Sequence, residues 1–408
     1  MSKKVDDPKK TIVIVGGGIG GLELLNSHLS KSIDPEKHTV VLIDARPTLT
    51  HLLSTLRLVV SDKDDLTRRS ILPYGDHTFR NKLAGNGRFI HGSVTEVKFG
   101  EGGPLGGGQG GSVVVDSGEE VAYDVLVLAT GSAWPRPIAF PTESREAIVE
   151  HVKTRRAEFA KATDILLVGG GAVGIELAGE LKDAFPSKPV TIIHRQNLLL
   201  NPTYPDKFRV AIQQQLESRG INVIVNDSIL ESDASYVAES CAPEVGFVTE
   251  QGKKLKPDLV VPTWGTRPNT SYLPSDVLSS SGHVKILPTF QLLAHPNVFA
   301  FGDIIDWNEQ KTAVKASVFQ APMVGKNIIA YLNLVERDGT SKVILSASST
   351  SVKYKGSLEV IGISNGKSNG LAYFNILWGI VLGGWFTCWL KAKDLMVSGL
   401  PGLTGYTP

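Results

Sequence analysis

The sequence predicts an α/β chain of two parallel-sheet, three-layer units with a small C-terminal domain, and three observations predict it. The first is a glycine-rich turn, Gly16-Gly17-Gly18-Ile19-Gly20-Gly21, between a β-branched run at residues 11–15 and a helical pattern at residues 22–29. The second is its repeat, Gly169-Gly170-Gly171-Ala172-Val173-Gly174, between an apolar run at residues 165–168 and a helical pattern at residues 173–181. The third is a pair of later strands, residues 123–131 and 258–265, that each start near an Asp and end on a glycine. Both turns fit G-x-G-x-x-G, through Gly16, Gly18 and Gly21 and through Gly169, Gly171 and Gly174. In such a turn the first glycine permits the tight bend and the second lets the backbone approach a pyrophosphate. The third lets helix and strand pack closely, and the helix N-terminus offers free N–H groups to the anion. Two such turns imply two Rossmann-like units, two bound dinucleotides, and electrons passing between them.

In the first unit, residues 38–44 form the next strand. Asp44 ends it about twenty residues past the turn, where a ribose hydroxyl pair needs an acceptor. Ala45 and Arg46 follow, and Arg46 either reaches a phosphate or points to water. Residues 101–111 are mostly glycine and read as the extended tip of a surface hairpin. The strand through Ala129-Thr130-Gly131 is followed by Trp134-Pro135-Arg136-Pro137, an extended crossing between domains.

The second unit runs from about residue 141 to 265. Its second strand, residues 189–195, ends on His194-Arg195. A site restricted to NADH would carry an acid there for the 2′-hydroxyl, whereas a guanidinium can bind a 2′-phosphate bidentately. The strand end therefore leans toward NADPH and still admits NADH. Residues 208–219 read as an amphipathic helix stopped by Gly220. Residues 297–303 form a strand ending in Gly302-Asp303, with a long helix expected at 311–334 and strands at 352–364. Residues 374–390 are nearly all apolar, with three Trp and three Gly. A buried helix that roofs the cofactor and lines an apolar acceptor tunnel is the first reading of that run. Shallow membrane insertion and a short span are the others. The implied domains are 1–140, 141–270, 271–345 (a return to the first) and 346–408.

Composition narrows the function. A chain of 408 residues with 42% hydrophobic and 20% charged residues holds two or three globular domains. A net charge of +1 gives no footprint for nucleic acid. Cys241 and Cys388 form no C-x-x-C pair, which argues against a disulfide framework, a metal site and a dithiol redox centre. The first ten residues lack the apolar core of a signal peptide and are too acidic for a transit peptide. Ser2 stands where N-myristoylation requires glycine. A cytoplasmic chain is expected, touching a membrane, if at all, through its apolar C-terminal run. The oligomeric state stays open between monomer and homodimer.

The ordered set of two glycine turns, Asp44, Ala129-Thr130-Gly131 and Gly302-Asp303 resembles the two-dinucleotide flavoproteins typified by glutathione reductase. That resemblance implies FAD at the first turn, NADH or NADPH at the second, and Asp303 beside the flavin ribitol. Residues 44–57, 168–182 and 390–398 are similar to the family of ferroptosis suppressor proteins and mitochondrion-associated apoptosis-inducing-factor homologues, itself related to type II NADH dehydrogenases. This implies an FAD-dependent NAD(P)H:quinone oxidoreductase: hydride passes from nicotinamide to flavin, and two electrons pass to a quinone or similar small apolar acceptor. The missing myristoylation glycine and the insert at 101–111 depart from the family. Two rivals share the glycine turns: a flavin-dependent tailoring oxidase or monooxygenase, and a redox-responsive signalling protein of the apoptosis-inducing-factor kind.

The same resemblance assigns catalytic roles. Glu176 would stand between nicotinamide and flavin, or merely satisfy its helix dipole. Lys391 would sit near the flavin and quinone end, stabilising negative charge or donating a proton, or merely flank an apolar segment. Glu180, one turn beyond Glu176, reads as a surface or interdomain acid. Gln320 resembles a quinone-side glutamine, His51 reads as packing, and Arg57 braces the pyrophosphate or the domain contact. The expected FAD-side contacts are Gly16, Gly18, Gly20, Gly21, Asp44, Ala45, Arg46, Arg57, Val94, Ala129, Thr130, Gly131, Gly302, Asp303 and Lys311. On the nicotinamide side they are Gly169, Gly171, Val173, Gly174, Glu176, His194, Arg195 and Gly265.

Overall fold

The computed structural model describes residues 9–100, 110–134, 139–238, 246–338, 345 and 349–408. The tip at 101–109, the crossing at 135–137 and Cys241 lie outside them. The first unit is built on a five-stranded sheet in the order Val298–Ala300, Val125–Leu128, Lys10–Val15, His38–Asp44, Gly87–His91. All its pairs are parallel, with Ile14 opposite Leu42 on one side and Val127 on the other. The central strands are buried along most of their length, as unbroken Val/Ile/Leu runs in a two-sided parallel sheet should be.

The second unit repeats the plan with four parallel strands: Asn222–Ile224, Val190–Ile193, Ile165–Val168, Leu259–Pro262. Its helix Ala172–Ala184 springs from the second glycine turn. Val298–Ala300 returns to pair with Val125–Leu128, so the first sheet is completed by residues that follow the second. The two crossings between units meet where Ser132–Ala133 pairs antiparallel with Arg267–Pro268.

The C-terminal part corrects the reading of residues 374–390. They form no continuous helix. Val360–Ser364, Gly370–Phe374 and Ile380–Leu382 make an antiparallel sheet, followed by short helical turns at Gly384–Thr387 and Cys388–Ala392. The cause is punctuation. Gly379 takes a left-handed φ of 89°, Leu377 and Trp378 turn the chain with φ of 46° and 67°, and Gly383-Gly384 interrupts again. The apolar side chains end up outside rather than roofing a site: Trp378 is fully exposed, and Leu377, Trp385 and Trp389 are mostly so. Among the described residues no helix is long and apolar enough to cross a membrane.

Two smaller differences follow. Of the strands expected at 352–364, only Val360–Ser364 forms. The helix expected from residue 311 starts later, with a π-helical turn at Lys315–Gln320 that continues as Ala321–Asp338. The C-terminal sheet seats itself on the nucleotide helix at Gly179, where a Cβ would lie 2.5 Å from the Gly366 nitrogen and 2.6 Å from the Asn365 carbonyl carbon. Only a glycine lets that backbone come so close.

Candidate active site

Each glycine turn sits at the carboxyl end of a central strand whose neighbours leave on opposite sides, the switch point where open parallel sheets take their ligands. The two turns match glycine for glycine. Gly16 and Gly169 have φ of 109° and 124°, and a Cβ on them would run into the backbone of Ala129 and of Thr263. A Cβ on Gly21 would strike the Gly16 carbonyl, and one on Gly174 the Gly169 carbonyl. A Cβ on Gly18 or Gly171 would meet no atom within 4 Å. The outer glycines of each motif are thus required by the fold, and the middle one leaves open room.

The first cleft is lined by Gly16, Gly18, Gly20, Asp44, Arg46, Thr48, Thr50, Ala129, Thr130, Gly131, Ser132, Gly302, Asp303 and Lys311. It continues past Ala45 and Val94. Two backbone N–H groups hold Asp44 in place. One carboxylate oxygen accepts the Gly17 N–H at 2.6 Å and the other the Arg46 N–H at 2.8 Å. Burial pushes its carboxyl above the usual range, opposed by Arg46. The Ser132 hydroxyl donates to Asp303 at 2.8 Å, and burial likewise raises the Asp303 carboxyl. Arg46 Nε, Thr48 Oγ1 and Thr50 Oγ1 are buried with no hydrogen-bond partner among the described residues. Unpaired buried polar atoms beside an open middle glycine, with a carboxylate at the strand end, fit FAD.

The second cleft, about 860 Å³, is lined by residues 169–173, 193–196, 228–231 and 263–266, with Glu250. The His194 Nδ1 accepts the Gly170 N–H at 3.1 Å, and burial lowers the ring's pKa. Arg195 is largely exposed and stands 3.8 Å from the Glu250 carboxylate. Trp134, Val173, Lys311 and Thr312 line both clefts, so the two share a wall.

Glu176 reaches the first cleft from the nucleotide helix. Its Oε1 accepts the Ser364 N–H at 2.9 Å, the Ser364 hydroxyl at 3.1 Å and the Lys391 ammonium at 2.5 Å. Lys391 also donates to the Gly362 carbonyl at 3.3 Å. The two residues singled out as catalytic are therefore a direct ion pair, assembled from the nucleotide helix and the C-terminal turn. Ser364 and Glu250 carry no motif. The first depends on the register of Val360–Ser364, the second on a hairpin folded against a strand end.

Of the two roles read for Arg57, the structure shows the domain contact and not a place among the FAD-side contacts. It lies in neither cleft. Its guanidinium grips Glu180 bidentately at 2.7 and 2.9 Å and donates to the carbonyls of Ala392 at 2.6 Å and Lys393 at 3.2 Å. It joins the first unit, the nucleotide helix and the segment that carries Lys391. Glu180 is buried, which raises its carboxyl, while Arg57 pulls the other way. Arg57→Ala would leave that carboxylate uncompensated, at a cost of about 3 kcal/mol. Urea unfolding should show that loss, and unchanged stability would refute the clamp.

Gln320 also lines neither cleft. It is buried, accepts the Gly302 N–H at 2.7 Å and donates to Glu309 at 2.9 Å, so it holds the Gly302-Asp303 turn. Lys311 precedes the helix, donates to the Trp307 carbonyl at 2.8 Å, and has its pKa lowered by burial. His51 is buried, with both ring nitrogens unpartnered among the described residues. Burial, helped by the positive charge of Lys391 and opposed by Asp394, lowers its pKa to about 4. A base whose folded pKa lies below its unfolded 6.5 stabilises the fold fully above pH 6.5 and loses that contribution as pH falls toward 4. The contribution is roughly 3 kcal/mol. His51→Leu should therefore flatten the fall in unfolding free energy between about pH 7 and 4.5; parallel curves would refute it.

The model of the pyridine nucleotide-disulphide oxidoreductase family matches residues 10–321. The chain is 42% identical over 350 residues to the FAD-dependent oxidoreductase FVFD30 of Flammulina velutipes, covering 85% of this chain and 99% of that one. It is 30% identical over 408 residues to apoptosis-inducing factor homolog B of Dictyostelium discoideum, covering 96% and 95%. It is 27% identical over 396 residues to ferroptosis suppressor protein 1 of Taeniopygia guttata, covering 96% and 95%. The chain belongs to the pyridine nucleotide-disulphide oxidoreductase family, as an FAD-dependent flavoprotein of the apoptosis-inducing-factor and ferroptosis-suppressor type.

Proposed function

We propose that the protein passes reducing equivalents from NADH or NADPH, through FAD, to a quinone or similar small apolar acceptor. The observation that carries this reading is the shared wall of Trp134, Val173, Lys311 and Thr312, against which rings seated by the two turns would meet. FAD, when bound, supplies the hydride acceptor and the two-electron donor. Gly16, Gly18, Asp44, Arg46 and Asp303 hold and orient it, and the second glycine turn orients the nicotinamide donor. Glu176, fixed by Ser364, keeps the Lys391 ammonium in place, and Lys391 Nζ holds the proton that an acceptor oxygen needs. Only Cys241 and Cys388 are present, so a vicinal disulfide relay has no residues to use.

The exposed Leu377, Trp378, Trp385 and Trp389 suit the headgroup layer of a membrane, where amphipathic aromatic rings are favoured. A peripheral contact there would bring an apolar acceptor to the chain. The test of the whole reading is optical. The purified protein should be yellow, bleach anaerobically with NADH or NADPH, and recover colour on adding menadione or a short-chain ubiquinone. Yellow protein that neither nucleotide bleaches would overturn the donor. Bleached protein that no quinone reoxidises would overturn the acceptor.

A further inference from the structure

The second cleft has a charged feature that the strand-end motif does not contain. His194-Arg195 brings no acid, yet a carboxylate faces this end of the cleft from elsewhere: Glu250, 3.8 Å from the Arg195 guanidinium. Its backbone is firmly placed. The buried Asp227 accepts the Thr249 hydroxyl at 2.6 Å through one oxygen, and the Ser228 and Gln251 N–H groups at 2.8 and 3.1 Å through the other. The Glu250 N–H donates to the Ser228 carbonyl at 2.9 Å. The turn is closed by the pairing of Phe247–Val248 with Lys254–Leu255. Beside it, Ser228 Oγ is buried, lines the cleft, and has no partner among the described residues, while the His194 ring is already held by the Gly170 N–H and by the Leu198 and Leu200 backbone.

These groups make a recognisable set. Ser228 is an uncharged hydrogen-bonding group, suited to a sugar hydroxyl. A carboxylate accepts from a hydroxyl and repels a phosphate. The cation at this strand end, Arg195, already has that carboxylate as its partner. We propose that Glu250 is the specificity residue of the nucleotide site: it accepts the 2′-hydroxyl of the donor's adenosine ribose and so favours NADH over NADPH, while Arg195 gives NADPH its residual access. The inference rests on the nucleotide-donor reading above and reverses the preference that Arg195 alone would suggest. A 2′-phosphate would set nearly two negative charges against Glu250 and would have to draw Arg195 away from it. A 2′-hydroxyl leaves the pair intact and adds one charge-assisted hydrogen bond, a contribution of about tenfold in affinity.

The test is calorimetric titration of the FAD-loaded protein with ADP-ribose and with 2′-phospho-ADP-ribose, which differ only at the 2′ position. The wild type should bind ADP-ribose about tenfold more tightly than the phosphorylated probe. Glu250→Gln, a nearly isosteric change at a partly exposed side chain, should weaken ADP-ribose and tighten 2′-phospho-ADP-ribose enough to reverse the order. Arg195→Ala, at an exposed position, should weaken the phosphorylated probe about tenfold and leave ADP-ribose nearly unchanged. Bleaching of the flavin by NADH and NADPH should follow the same order. An unchanged probe ratio in Glu250→Gln, or tighter binding of the phosphorylated probe by the wild type, overturns the inference while leaving the donor reading standing. Failure of both probes to bind overturns the inference and the donor reading together.

Discussion

Gly18→Val should yield a folded, colourless protein. Gly18 has φ of −60° and ψ of −177°, an extended conformation that valine adopts without strain, and a Cβ there meets no protein atom within 4 Å. The chain itself thus has no reason to reject the side chain. The pyrophosphate does, because the valine would occupy the space that the open glycine leaves for it. Forcing a branched side chain into that contact costs about 3 kcal/mol, roughly a hundredfold in affinity. Gly16→Val is the contrasting control. With φ of 109° and the Ala129 carbonyl in the way, it should impair folding rather than flavin retention alone. Circular dichroism and the flavin absorbance of the purified variants separate the two cases. A fully loaded yellow Gly18→Val protein would refute the assignment of the first turn.

Lys391→Met should nearly abolish turnover with a quinone while the flavin stays bound. The ammonium is 2.5 Å from Glu176, at the edge of the first cleft, and Lys391 itself lines neither cleft, so Gly16, Gly18, Asp44, Arg46 and Asp303 keep their places without it. Loss of a positioned proton donor costs about a hundredfold in rate. The defect should fall on acceptor-dependent reoxidation. Anaerobic bleaching by the nicotinamide donor, which asks nothing of Lys391, should change far less. The substitution also leaves the Glu176 carboxylate, largely buried, with only Ser364 as a hydrogen-bond partner among the described residues, so stability should fall by about 3 kcal/mol. Adding Glu176→Gln should restore much of that stability without restoring turnover. Quinone turnover at the wild-type rate in Lys391→Met would refute the role of the pair.

The legible part of this protein is its local chemistry. Glycine turns, the Asp44 strand end and the Gly302-Asp303 turn are each marked by a few consecutive residues, and the two clefts form around them. What fails to show in the sequence depends on which distant segments meet. Arg57 reads as a brace for the pyrophosphate or for a domain contact, and nothing near it in the sequence decides between them. Its partners are Glu180 and two carbonyls at residues 392 and 393, a meeting set by docking of the C-terminal sheet. Ser364 reaches Glu176 only because Gly179 lets the hairpin approach the helix. Residues 374–390 mislead for another reason. Their composition is uniformly apolar, and composition alone hides the breaks at Gly379 and Gly383-Gly384 that turn a would-be helix into a hairpin with exposed Trp.

A structure of the protein crystallised with FAD and a nicotinamide donor tests the central claim most directly. The nicotinamide C4 should lie about 3–3.5 Å from the flavin ring, as hydride transfer demands. The two rings should be bounded by Trp134, Val173, Lys311 and Thr312. Rings held in separate clefts beyond contact, with no domain rotation that closes the distance, would contradict the account.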